Sequence, residues 1–110
     1  MTELAVVYFT APDPSVADRL ARGLVESGLV ACVNQMPAGR SVYRWNGEVQ
    51  HAAELFLLAK TTNARVPAVI DWIEREHPYE LPCVTSWRVE RSSDPFADWV
   101  TEQVTAPPDE

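Results

Sequence analysis

Runs of apolar residues with high β-propensity predict where the strands of this chain lie. The four main runs are residues 4–10, 30–36, 54–62 and 83–89. A shorter strand at 41–45 precedes Asn46-Gly47, a dipeptide typical of a tight hairpin turn. The runs at 4–10 and 54–62 are apolar with little alternation, which is the pattern of central strands covered on both faces.

Apolar positions that recur every three or four residues predict two long helices and a shorter one. The first helix begins at Asp13 or Ser15, either of which can cap it, and ends at Gly28. The second stops before Pro78, because a proline biases the preceding residue away from helical geometry. Asp94-Pro95 predicts a cap and a first helical proline for a last, short amphipathic helix.

The order of these elements predicts the fold class and the way in which copies assemble. A βαββαβ order followed by a helix is the α+β, ferredoxin-like arrangement, here as one domain over residues 1–105 with a frayed tail at 106–110. Right-handed crossovers place both long helices on one face of an antiparallel sheet. The other face stays apolar and bare, so we expect a homo-oligomer; a terminal segment folded over the sheet is the alternative.

Composition and charge exclude several classes of protein. The 110 residues are 46% apolar and 23% charged, which is ordinary for a globular domain. The chain has no apolar run near the roughly 18 residues of a membrane helix, and its start lacks a basic signal-peptide region, so we expect a cytoplasmic protein without membrane insertion. A net charge of −7 with nine scattered basic residues disfavours nucleic acid as a partner.

The sequence contains none of the common catalytic motifs, which favours a binding protein over an enzyme. GxSxG, CxxC, HExxH and glycine-rich phosphate loops are all missing. Cys32 with His77 is a conceivable nucleophile–base pair. A cysteine in an apolar strand is more often inert core, and a histidine at a helix end more often has a capping role.

Several side chains could bind a ligand or a neighbouring subunit. Cys32 and Met36 share a strand face and offer sulfur, which suits Cu(I), although both could simply pack. Lys60 is the only lysine and could contact an anion, form an intersubunit ion pair or extend from a strand end into solvent. Tyr43 and Trp45, on one face before the hairpin turn, pack across the hairpin or, as we favour, anchor an interface.

Six short segments also occur together in the order and spacing of a known family. They are TAPD at 10–13, LVACVN at 29–34, SVYRWNGE at 41–48, LLAKTT at 57–62, HPYELP at 77–82 and DWV at 98–100. Through nearly the whole chain this set resembles the divalent-cation tolerance protein CutA family. The resemblance implies a homotrimer of ferredoxin-like subunits, similar to the PII signalling trimers, with links to copper tolerance and binding of copper or another divalent metal ion.

The resemblance further implies a ligand cleft between subunits. Its matching positions in this chain are Cys32, Trp45, Lys60, His77, Tyr79 and Glu80. Metal-ligand candidates are Cys32 and Met36, with His77 and Cys83 as further possibilities. The alternative function is a PII-like module that binds a small anion at Lys60.

Cys83 is a departure from the pattern of that family. It stands where the family usually continues HPYExP with a glutamate. The cysteine removes a carboxylate from the shared pattern, or supplies a second thiol, or is a neutral change at a strand start.

Overall fold

The computed structural model describes residues 2–104, which form one four-stranded antiparallel sheet and three α-helices. The strands are β1 (Leu4–Ala11), β2 (Cys32–Trp45), β3 (Glu48–Thr62) and β4 (Val84–Arg88), in the spatial order β2-β3-β1-β4. The long apolar runs therefore form the two central strands, and the predicted α+β, ferredoxin-like fold is confirmed. The segment predicted as a frayed tail, 106–110, lies outside the described residues.

The first and last of the three helices begin close to the capping residues that the sequence indicates. The second ends before Pro78 as predicted but begins at Val66, after Thr62 and Asn63, where its start was expected. The helices are α1 (Pro14–Glu26), α2 (Val66–Glu76, after a 3-10 turn at Asn63–Arg65) and α3 (Asp94–Gln103). Asp13 caps α1, because its Oδ1 accepts from the Val16 N–H at 2.9 Å. The cap of α3 is Ser93 rather than Asp94, since the Ser93 hydroxyl accepts from the Phe96 N–H at 3.4 Å. None of the helices within 2–104 is long and apolar enough to cross a membrane.

The hydrophobic core lies between one sheet face and the helices α1 and α2. Val7 and Phe9 of β1 and Leu57 of β3 are fully buried there. Leu20 of α1 and Ile73 of α2 close the core from the helical side. Both long helices thus cover the same face, as right-handed crossovers require.

The second strand is longer than its sequence predicts and does not break at residues 37–39. A register shift between Met36 and Gly39 carries the chain through Pro37-Ala38 and back into the same ladder with β3. Asn46 and Gly47 both have positive φ, as a two-residue hairpin turn requires. The predicted strands at 30–36 and 41–45 are therefore parts of one strand, and β3 begins at Glu48 instead of residue 54.

The extended hairpin projects beyond the rest of the sheet. The last β1 residue, Ala11, pairs with Leu55, so residues 39–54 have no further strand beside them among the described residues. We call this two-stranded segment the arm. Val42 and Val49 on it are 74% and 66% exposed.

The sheet face opposite the two long helices, which we call the open face, is only partly covered. Leu4 and Ala31 pack with Val100 of α3 at one end of it. Met36 and Trp87 remain among the exposed large hydrophobic residues. The expected bare face is thus present, although α3 shields part of it.

Candidate functional site

A cleft of about 640 Å³ opens where the arm leaves the sheet. Its walls come from β1, from both strands of the arm and from the segment between α2 and β4. We call it the arm cleft. Its lining combines four aromatic rings, two carboxylates and six other residues: Tyr8, Tyr43, Trp45, Tyr79; Glu54, Glu80; Thr10, Ser41, Arg44, Leu81, Pro82 and Cys83.

His77 fixes the segment that forms one wall of the arm cleft. The residue is the C-cap of α2 and is 7% exposed. The backbone N–H of Tyr79 donates to its Nδ1 at 3.1 Å, so this nitrogen carries no proton. Nε2–H therefore donates to the Thr10 carbonyl oxygen at 2.7 Å. Both ring nitrogens are occupied by backbone groups, which ties the segment after α2 to β1.

A hydrogen bond between two side chains joins the same segment to the base of the arm. The Tyr79 hydroxyl donates to Oε2 of Glu54 at 2.8 Å, and Glu54 is only 8% exposed. Burial and the Glu54 carboxylate raise the pKa of Tyr79 well above its usual range. Burial, with smaller contributions from Cys83 and Glu54, also raises the pKa of Tyr8. Both phenols therefore stay protonated at neutral pH.

Cys83 lines the arm cleft, and the residue as a whole is exposed. Burial of the sulfur, and secondarily the charge of Glu54, raises the pKa of this thiol. The thiolate that would bind a soft metal ion is therefore a minor form at neutral pH.

Cys32 and Lys60 form a separate group outside the arm cleft. They are direct cross-strand partners on β2 and β3, and the Lys60 ammonium donates to the Asn34 side-chain oxygen. Burial raises the pKa of Cys32, while the positive charge of Lys60 opposes that rise. Neither side chain lines the arm cleft, which contains Trp45, Tyr79 and Glu80 from the predicted set.

The predicted sulfur ligands are far apart within one chain. Cys32 and Met36 lie four residues apart on β2, a separation of about 13 Å along a strand. Cys83 precedes β4, at the opposite edge of the sheet from β2. Across residues 2–104 no three side chains of His, Cys, Asp or Glu come together as a metal-binding group. Within one chain, therefore, no two of these sulfur atoms lie close enough to bind the same ion.

Glu54 is a residue of the arm cleft that sequence patterns did not identify. It stands at the start of an apolar run, where a charged residue indicates only a strand end. Its partner, Tyr79, is 25 residues away along the chain. The only related signal in the sequence was Tyr79 of the HPYELP segment. Nothing in the neighbouring sequence explains why this side chain is half-buried in the structure.

Comparison with known proteins places the chain among relatives of the predicted kind. Residues 5–103 match the model of the CutA1 divalent ion tolerance protein family. Protein CutA homolog from Xenopus laevis is 39% identical over 92% of this chain and 67% of its own length. Protein CutA from Homo sapiens is 37% identical over 93% of the chain, which spans only 56% of that protein. The divalent-cation tolerance protein CutA from Thermus thermophilus is 39% identical over 88% and 94% of the two lengths.

Solved structures agree with the sequence relatives. The Thermus thermophilus divalent cation tolerance protein superposes with a TM-score of 0.89 at 37% identity, covering 93% of this chain and 99% of the other. CutA1 from Oryza sativa gives a TM-score of 0.93 at 30% identity over 96% and 97%. One relative is named chloroplastic and another periplasmic, so a cytoplasmic location stays a prediction. The family description names tolerance to divalent ions and no catalysed reaction, and this chain belongs to the CutA1 divalent ion tolerance family.

Proposed function

We propose that this chain is the subunit of a homotrimeric, PII-like protein of divalent-cation tolerance that binds copper or another divalent metal ion. The observation that carries the assembly is the arm. Its two strands extend past the sheet with Val42 and Val49 largely exposed, and it begins beside the partly bare open face. A protein that stays monomeric rarely exposes apolar surface in this way, whereas a neighbouring copy can pair with the arm and bury it.

Separation of the sulfur ligands supports a metal site made by more than one chain. Cys32 and Met36 are about 13 Å apart on one strand, too far for one ion. We propose that Cys32 or Met36 binds Cu(I) together with a group from a neighbouring subunit. Cys83 is a further candidate ligand. His77 can join only by giving up one of its two backbone hydrogen bonds.

The residues predicted to line an intersubunit cleft lie in two separate groups within one chain, so they could form one cleft only where two chains meet. Trp45, Tyr79 and Glu80 surround the arm cleft, while Cys32 and Lys60 lie together elsewhere on the sheet. We propose that the second group of one subunit faces the first group of its neighbour.

The charge of the arm cleft argues against the PII-like alternative in which the ligand is a small anion. Glu54 and Glu80 line it, and the Arg44 guanidinium donates to the Gly47 carbonyl oxygen at 3.4 Å instead of facing Glu54. Lys60, the proposed anion contact, donates to Asn34. In the part of the lining that one subunit contributes, an anion would meet net negative charge, so this part favours a cation.

Light scattering coupled to gel filtration, followed by calorimetric titration with copper, tests the proposal. We expect a particle of about 37 kDa, three times the chain mass of 12.3 kDa. Either Cys32→Ser or Met36→Leu should weaken Cu(I) binding at least tenfold, with the Glu74→Ala protein, changed at an exposed position of α2, as the control. A 12.3 kDa particle would refute the assembly. Unchanged Cu(I) affinity in both variants would refute the ligands.

A further inference from the structure

The two cysteines of the chain lie too far apart to meet within one subunit. Cys32 begins β2 and Cys83 precedes β4, and these strands are the opposite edges of the sheet, in the order β2-β3-β1-β4. Three strand spacings separate the two edges by about 14 Å. A disulfide needs Cα atoms within about 7 Å, and two thiolates on one Cu(I) ion need a comparable separation. The two thiols therefore act together only if they come from different subunits.

The proposed assembly brings one thiol from each of two subunits to the same seam. Cys83 lines the arm cleft together with Tyr79 and Glu80. Cys32 is the direct cross-strand partner of Lys60, in the group that we place against the arm cleft of the neighbour. A trimer closes through heterologous interfaces, in which one surface of each subunit meets a different surface of the next. Every seam then holds Cys32 of one subunit and Cys83 of its neighbour.

The chemistry of this pair suits Cu(I). Thiolates are soft ligands, which select Cu(I) over the hard cations that prefer oxygen. A Cu(I) ion held by two thiolates has a single net negative charge, and such a charge is costly between packed subunits unless a cation lies beside it. Lys60 is the only lysine of the chain, and its position opposite Cys32 supplies that cation. Its ammonium group donates to the Asn34 side-chain oxygen, which keeps it on the same pair of strands.

We propose that Cys32 of one subunit and Cys83 of the next are the two ligands of Cu(I) at each seam of the trimer, with Lys60 balancing the charge of the complex. This inference rests on the proposed function, because it needs the same assembly. It deepens that function by naming the group that the neighbouring subunit contributes to the metal ion.

Calorimetric titration of the reduced trimer with Cu(I) tests the ligands one at a time. Cys32→Ser and Cys83→Ser should each weaken the affinity at least tenfold, because either change leaves a single thiolate on the ion. Lys60→Met should weaken it about threefold or more through loss of the compensating charge. Arg75→Gln, which removes a positive charge from the exposed surface of α2, is the matched control and should have no effect. Retained affinity in Cys83→Ser would overturn the proposal.

Mixed trimers show whether the two thiols come from different chains. Co-expression of Cys32→Ser and Cys83→Ser chains in equal amounts gives trimers in which about three quarters contain both kinds of chain. Each mixed trimer has one seam where an intact Cys32 meets an intact Cys83. The sample should therefore bind about a quarter of the copper that the unchanged trimer binds with full affinity. A mixed sample that binds no more than the separate variants would overturn the proposal.

Disulfide formation gives a second readout that needs no copper. Diamide oxidises two thiols to a disulfide and takes up the two hydrogen atoms, and it should link Cys32 of one subunit to Cys83 of the next. Complete oxidation joins the subunits into a covalent ring of about 37 kDa, three times 12.3 kDa, on a non-reducing gel. Neither single variant should cross-link. Mass spectrometry identifies the linked peptides; the absence of any link, or a link between two copies of the same cysteine, would overturn the proposal.

Particle mass and Cu(I) affinity of the unchanged protein separate this inference from the proposed function. A trimer that binds Cu(I) and keeps its full affinity in Cys83→Ser would leave the proposed function standing and remove only the present inference. A particle of 12.3 kDa would remove both.

Discussion

The Tyr79 hydroxyl and the Glu54 carboxylate meet at 2.8 Å and join the segment after α2 to the base of the arm. His77 adds a second connection, from the same segment to β1. These bonds bring together three parts of the chain that are distant in sequence. The shape of the arm cleft therefore depends on two polar contacts, and each can be removed separately.

Tyr79→Phe should destabilise the protein by about 1–3 kcal/mol, because the nearly buried Glu54 loses its hydrogen-bond donor. Urea unfolding of Tyr79→Phe, Glu54→Ala and the double variant Tyr79→Phe/Glu54→Ala measures the coupling energy. We expect the double variant to be less destabilised than the sum of the single variants. Strict additivity would mean that the bond contributes nothing to stability.

His77→Ala should cost about 2–4 kcal/mol in the free energy of unfolding, since it leaves the buried Thr10 carbonyl and the Tyr79 N–H without partners. Thermal or urea unfolding measures the loss. Glu74→Ala, at an exposed position of α2, is the control and should change stability by less than about 0.5 kcal/mol. Nitrogen NMR should find His77 in the tautomer protonated at Nε2; a proton on Nδ1 would contradict the hydrogen-bond assignment.

Cys32 and Cys83 should both alkylate slowly at neutral pH, because a raised thiol pKa lowers the fraction of reactive thiolate. The rate should rise with pH beyond the range of an ordinary cysteine. Mass spectrometry after iodoacetamide treatment locates the modified residue, with the unfolded chain as the reference. In Glu54→Gln only Cys83 should react faster, since the carboxylate contributes to its raised pKa and does not act on Cys32. An equal change at both cysteines would contradict this electrostatic cause.

Gly39→Ala should destabilise the protein by about 1–3 kcal/mol through overpacking. A Cβ at this position would lie 2.5 Å from the ring of Phe56 and 2.7 Å from the backbone oxygen of Glu54. Phe56→Leu should recover part of the loss, but the backbone contact would remain. Urea unfolding of the three variants measures both effects, and a neutral Gly39→Ala would show that the bulge adjusts without cost.

Val42→Glu should reduce the mass of the assembly without unfolding the subunit, because the arm lies outside the core and its valine is exposed in the single chain. Light scattering and circular dichroism record the two properties. Val25→Glu, at an exposed apolar position of α1, is the control and should leave the assembly intact. A full-sized Val42→Glu particle would place the interface elsewhere.

The elements that local chemistry specifies were predictable from the sequence. Asp13 caps α1 because its side chain reaches a backbone N–H three residues on, and Asn46-Gly47 turns the hairpin because both residues tolerate positive φ. The two long apolar runs became the central strands because only strands covered on both faces can hold so few polar residues. The α+β order and the position of both long helices on one face of the sheet followed from these signals.

Other features depend on contacts between distant residues, and the structure alone determined them. Pro37-Ala38-Gly39 indicates a loop, yet β3 supplies hydrogen-bond partners on both sides of it and makes the segment a bulge inside one long strand. The spacing of Cys32 and Met36 indicated that they share a strand face. It did not show that both lie on one continuous strand, where a separation of about 13 Å prevents them from binding the same ion.

By itself, then, the sequence determined the strands, the helices, their order and the family, because hydrophobic period, caps and turns act over a few residues. Only the tertiary structure decided where the arm begins and what surrounds Glu54. A carboxylate acquires its environment from whichever segments pack around it, and here one of them lies 25 residues further along the chain. No local pattern records that packing.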